Sequence, residues 1–167
     1  MRLRFVAAVV VTALAAPGCA GKPAAPRSLC GIPISSDAVD PLLPEGDEVT
    51  VGKLEKPEYL PTACPLYVDD DYAYTFAAKH DPDGDDYVRQ IRQGSPSEPR
   101  TFKGKLTVRT GSARAVADCP GAPHSVYAEI QLNPVIDEVF GKATPEDLEN
   151  FLNAYVPGVQ KHYGCKT

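Results

Sequence analysis

The stretch 63-ACPLYVDDDYAYTFAAKH-80 decides the fold class. In its second half Tyr72, Tyr74, Phe76 and Ala78 recur at every other position, the period of a strand with one apolar face. Asp69, Asp70 and Asp71 divide this run from Leu66, Tyr67 and Val68, and short acidic side chains of this kind suit a turn. The stretch therefore predicts strand, turn and strand. Upstream, 48-EVTVGKLE-55 alternates weakly and predicts a further strand. Downstream, Leu106 and Val108, then Ala113 to Ala117, then Val126, Ala128, Ile130 and Leu132 alternate with polar neighbours. They predict three more strands, mostly antiparallel, joined through Thr110-Gly111-Ser112 and Pro120-Gly121.

Helical signals lie outside these strands. Ser35 or Ser36 caps a short helix carrying Val39 and Leu42, with Pro41 limiting its length. In 81-DPDGDDYVRQIRQG-94 an Asp cap, the spacing of Tyr87, Val88 and Ile91, and Gly94 as a stop predict a short amphipathic helix. Thr144-Pro145-Glu146-Asp147 is a helix start, with a capping hydroxyl, Pro at the first position and acids in the first turn. Leu148, Phe151, Leu152 and Tyr155 then form an apolar stripe, and Pro157-Gly158 is expected to break or kink the helix before Val159 to Tyr163. Together these features predict an α+β domain. Its antiparallel β-sheet carries short helices packed mainly on one face and a C-terminal helix, over residues 29–167.

The segment before this domain has a different character. Arg2 and Arg4 precede an uncharged run from Phe5 to Ala16, which is too short to cross a bilayer and matches an export signal. The run ends in Leu14-Ala15-Ala16-Pro17-Gly18-Cys19, which resembles the box of small residues cut just before a lipid-bearing cysteine. This predicts a lipoprotein signal peptide over 1–18, lipidation of Cys19, and a flexible tether over 19–28; the alternative is an ordinary cut after Ala20, with Gly18 and Ala20 in the recognition positions, which would discard Cys19. With Cys19 lipidated, the protein would be held on the extracytoplasmic face of the cell membrane. Loss of 18 of the 167 residues leaves 149, enough for one domain with a real core. The formal charge of −5 becomes −7 without Arg2 and Arg4. Such an acidic chain repels phosphate backbones and anionic headgroups, which excludes nucleic acid as a partner and leaves a lipid anchor as the route to the membrane.

Four cysteines remain: Cys30, Cys64, Cys119 and Cys165. An even number in an exported chain predicts two disulfides, and four cysteines allow three connectivities. Cys30–Cys64 with Cys119–Cys165 is preferred, because each closes a moderate loop and fastens an element near one terminus to the interior. No CxxC and no Cys–His pattern suggests zinc.

Candidate binding residues cluster around the acidic turn. Tyr67 and Tyr72 flank Asp69, Asp70 and Asp71, and Asp81, Asp83 and Asp85 follow a strand later. Tyrosines beside polar groups are what recognition surfaces overuse. A calcium loop would place Gly sixth and Glu twelfth, whereas from Asp81 the Gly is fourth and Arg92 stands twelfth, so no metal or cofactor is expected. His80, His124 and His162 each have an ordinary structural explanation. No GxSxG, HExxH or phosphate loop occurs, and a non-catalytic role is expected.

The lipobox-like Cys19, the tether, 29-LCGIPISSDAVDPLL-43 and 64-CPLYVDDDYAYTF-76 resemble the small lipoproteins that actinobacteria export, many in families of unknown function. The resemblance implies a Cys-Gly and short helix at the start, a second Cys opening a strand, and a closing helix. Leu66 stands where an aromatic is common in such proteins, and Cys119 with Cys165 is an extra pair. The expected role is a cell-surface binding or accessory module whose partner is a protein, a wall polymer or a small ligand. The alternative is a secreted protease inhibitor or small hydrolase using exposed loops at 81–86 and 95–101.

Overall fold

The computed structural model describes residues 21–53, 62–81, 99–133 and 143–166, with Asp81 described by its backbone alone. The expected helix after Asp81, the expected signal segment, Cys19, and Asp83 and Asp85 lie outside the described residues. Eight strands and two helices occupy the rest. β1 (Ser28–Leu29) and β2 (Ile32–Pro33) form a small hairpin, followed by α1 (Ser36–Val39) and a 3₁₀ turn over Asp40–Leu42. Then come β3 (Val49–Val51), β4 (Thr62–Val68), β5 (Asp71–Asp81), β6 (Gly104–Arg109), β7 (Ser112–Asp118), β8 (Ser125–Leu132) and α2 (Pro145–His162).

The main sheet is antiparallel throughout, in the order β3-β4-β5-β8-β7-β6. This is the α+β fold that the alternation predicts. The turn between β4 and β5 is tight because Asp69 and Asp70 both take positive φ, 51° and 69°, the hairpin geometry that short polar side chains tolerate. One face of the sheet carries Leu66, Tyr74, Phe76, Ala78, Ala115, Ala128 and Ile130, all buried under α2 and the N-terminal hairpin.

α2 starts as its sequence requires. Thr144 Oγ1 accepts from the Asp147 amide at 3.1 Å, and the Asp147 carboxylate accepts from the Thr144 amide at 2.9 Å, a complete capping box. Leu148, Phe151, Leu152 and Tyr155 are fully buried, and the Phe151 ring meets Phe76 at 5.2 Å. Tyr155 reaches over to donate to the Leu29 carbonyl at 3.3 Å, tying the small hairpin to the helix.

Two expectations are corrected. Of the break or kink expected at Pro157-Gly158, the break does not occur, and the helix continues to His162. Pro157 has no N–H, so the Asn153 carbonyl one turn earlier lacks its helical donor, and the Thr101 hydroxyl donates to that carbonyl instead. A Cβ on Gly158 would stand 2.8 Å from the Pro33 carbonyl oxygen, so glycine is what lets the helix cross β2 closely. Tyr72 does not share a face with Tyr74, Phe76 and Ala78. The pairing shifts between Leu66 opposite Tyr74 and Tyr67 opposite Tyr72, which leaves Ala73 as the extra residue of a bulge and turns Tyr72 to the other face.

Part of the expected tether is described. Its described part, 21–28, lies along the domain. Pro23 is buried, Ala25 packs against the core, and the Gly46 amide donates to the Gly21 carbonyl at 3.4 Å. Lys22 pairs with Asp40 at 3.2 Å. Prolines and alanines that form no regular structure still present apolar surface, and that surface is used here.

Both preferred disulfides are present. Cys30–Cys64 has its Cα atoms 5.3 Å apart, and Cys119–Cys165 has them 4.9 Å apart. The second holds the chain end in place, where the Lys166 amide also donates to the Pro120 carbonyl at 2.8 Å.

Candidate functional site

The acidic turn is built for structure at its first residue. The Asp69 carboxylate accepts from the backbone amides of Asp47, at 2.9 and 3.1 Å, and of Glu48, at 2.9 Å. Gly46 leaves room for this clamp, since a Cβ there would lie 2.7 Å from Asp69 Oδ2. Asp70 and Asp71 are exposed. Tyr67 and Tyr72 do come together, with ring centroids 5.9 Å apart on the sheet face away from α2, and the Tyr72 hydroxyl bonds Thr75. Asp81 ends β5 opposite Ser125, at the other end of the strand from the turn. The structure thus separates Asp81 from Asp69, Asp70 and Asp71 along the length of β5.

The face away from α2 also carries a charged row. Arg114 Nε donates to Glu129 Oε1 at 2.8 Å, the Tyr127 hydroxyl donates to Glu129 Oε2 at 2.8 Å, and Lys79 Nζ lies 5.8 Å from the Tyr127 ring centroid. Arg114 and Glu129 face each other across β7 and β8 in register, and both oxygens of Glu129 are satisfied. This is how a largely buried ion pair is made tolerable.

The end of the sheet opposite the acidic turn gathers the three histidines of the chain. His80 is on the helix-covered face of β5, His124 immediately precedes β8, and His162 closes α2. The His80 and His124 rings are 4.8 Å apart and nearly perpendicular, at 87°. Tyr163 lies between His80, stacked at 5.9 Å, and His162, edge-on at 5.0 Å. The Tyr163 hydroxyl is held by the Ala78 carbonyl at 3.2 Å and Thr62 Oγ1 at 2.9 Å. His124 Nδ1 is buried without a hydrogen-bond partner among the described residues. No group of three His, Cys, Asp or Glu among the described residues is arranged to hold a metal ion.

Beside this row opens a groove of about 630 Å³. It is lined by the Cys30–Cys64 disulfide, Ser28 and Gly31 of the small hairpin, Val51, Gly52 and Lys53 at the end of β3, Thr62 and Ala63 of β4, and His162. Thr62 belongs to both places, since its hydroxyl holds Tyr163. Two hydroxyls, one ammonium and one imidazole thus surround an apolar disulfide, a mixture suited to a ligand with both polar and apolar parts.

Sequence reasoning treats the histidines singly and misses both their gathering and the groove. The signal for the gathering lies in the cysteines. Once Cys119 is joined to Cys165, His124 and Tyr163 are drawn to the same turn, and the strand register brings His80 beside Val126. Arg100, in the 95–101 loop that the inhibitor alternative would use, is bound to α2 through Asn150 at 2.6 Å and Glu149 at 3.6 Å. No protein-family model matches the chain, and no curated protein or solved structure shows significant similarity to it.

Proposed function

We propose that the protein is a lipid-anchored, non-catalytic binding module on the outer face of the cytoplasmic membrane, which takes its ligand in the groove beside the Cys30–Cys64 disulfide. The observation that carries this reading is that groove: a site of about 630 Å³ with hydroxyl, ammonium and imidazole groups around a disulfide. Its setting supports export, since disulfides persist in oxidising compartments and both cysteine pairs are joined. The basic tip, the apolar run and Gly18-Cys19 support the anchor. The ligand class is a wall polymer fragment, a small molecule or a segment of a partner protein.

Two measurements test the reading separately. The intact mass of membrane-extracted protein, before and after reduction, should show loss of residues 1–18, added acyl chains and two disulfides. An unmodified Cys19, or a cut beyond it, refutes the anchor. Pull-down from detergent-solubilised membranes should recover a partner with the wild-type protein and lose it with Lys53→Glu or His162→Ala. A partner retained equally by both variants refutes the groove.

A further inference from the structure

We infer that the anchored protein lies with the acidic-turn end of its sheet directly against the lipid headgroups, and with its groove and histidine row turned away from the bilayer. This rests on the lipidation of Cys19 proposed above and adds what the packed strap implies. A free tether from Cys19 to Ser28 would let the domain tumble well off the surface. Instead the chain is already fixed at Gly21, whose carbonyl accepts from the Gly46 amide, and at Lys22, paired with Asp40. Pro23 is buried immediately afterwards. Cys19 precedes Gly21 by two residues, so its α-carbon stays within about 7 Å of that of Gly21 even with the chain fully extended.

The position of Gly21 sets the orientation. Gly46 adjoins Asp47 and Glu48, whose amides are clamped by Asp69 in the β4–β5 turn. The anchor point is therefore at the turn end of the sheet. From Val68 to Thr62, β4 carries the chain six residues away from it, about 20 Å. At that far end stand Thr62, Tyr163, His80 and His124, and the groove opens beside Thr62. Exposed acids, among them Glu45, Asp47, Asp70 and Asp71, surround the anchor point, so the lipid chains hold this end at the bilayer without help from charge. The Asp69–Asp71 turn is then a membrane-proximal surface, and the partner meets the distal groove.

The chain has no tryptophan, so single tryptophans report position. Tyr72→Trp marks the turn end, where Tyr72 is 36% exposed, and Lys161→Trp marks the exposed last turn of α2 at the distal end. Full-length acylated protein is placed in phosphatidylcholine vesicles containing a lipid with a quencher on its headgroup. Quenching several-fold stronger for Tyr72→Trp than for Lys161→Trp is expected. A flexible spacer of about ten Gly and Ser residues after Ala20, worth about 17 Å, should remove the difference. Equal or reversed quenching of protein whose mass shows the acyl chains overturns the orientation while leaving the anchor intact, whereas protein without acyl chains refutes both. Amide exchange of the unsubstituted acylated protein gives a second readout. On vesicles, exchange should slow at 45–48 and 69–71 relative to 119–124, and uniform exchange overturns the inference.

Discussion

Thr101→Val tests whether a residue from the segment before β6 repairs the proline-interrupted helix. Thr101 Oγ1 donates to the Asn153 carbonyl, which Pro157 leaves without its usual amide donor. Asn153 is 6% exposed, and its side chain is also engaged, accepting from the Arg100 amide at 2.8 Å and donating to the Glu149 carbonyl at 3.0 Å. Valine keeps the shape of threonine and removes the donor. A net loss of about 0.5–1.5 kcal/mol follows for one hydrogen bond, rising toward 3 if the carbonyl stays dry. In a domain of this size about 1 kcal/mol lowers Tm by roughly 2–4 °C. Pro157→Ala supplies the missing amide, so in that background Thr101→Val should cost less, with a coupling of about 1 kcal/mol across the cycle. Urea denaturation of the four disulfide-intact proteins measures it. Additivity within about 0.3 kcal/mol would refute the repair, because the hydroxyl would then not be standing in for the amide.

Gly158→Ala should destabilise by about 1–3 kcal/mol by overpacking against the Pro33 carbonyl oxygen and Ile32, 2.8 and 3.0 Å from the added carbon, despite the better helix propensity of alanine. A thermal melt showing stabilisation would contradict the close crossing. Replacing Cys119 and Cys165 by serine opens a loop of sequence separation 46 and should cost about 4 kcal/mol in denaturant unfolding. It should also release the C-terminal segment to proteolysis first, and protection equal to wild type would refute the fastening role. Burial pushes the Tyr155 phenol well above the usual tyrosine range, with a smaller push from Tyr163. The folded state keeps this proton while the unfolded state loses it, so stability is full below about pH 10 and falls above it by up to about 1.4 kcal/mol per pH unit. Tyr155→Phe should flatten that alkaline slope in unfolding measured against pH, and an unchanged slope would assign it to other groups.

The elements were legible wherever local period and capping agreed. The strands around 63–80 and 106–132 alternate, Thr144 to Asp147 spell a capping box, and the even count of Cys30, Cys64, Cys119 and Cys165 implies two bridges. Features that depend on one extra residue or on a distant partner were not legible. The bulge at Ala73 inverts Tyr72 because the side-chain period of a strand is two, so a single inserted residue changes which face follows. The continuity of α2 through Pro157 depends on Thr101, which local pattern cannot supply. The strap over 21–28 has no period at all, yet Pro23 is buried, because apolar surface needs only a complementary surface to dock on.

The candidate site follows the same logic. The residues that stand out in sequence, Asp69, Asp70 and Asp71, stand out because a tight hairpin and its clamp require them, and one of the carboxylates is consumed by two backbone amides. The residues that form the groove and histidine row come from the small hairpin, the end of β3, β4, β5, the turn before β8, and the end of α2, each contributing one to three residues. At this site the two disulfides fasten the first and last elements beside the sheet. Cys30–Cys64 lines the groove, and Cys119–Cys165 holds the end of α2 beside His124. The same two bonds that stabilise the fold therefore assemble its distal end, so reducing either should open the groove or scatter the histidine row before the six-stranded sheet is lost.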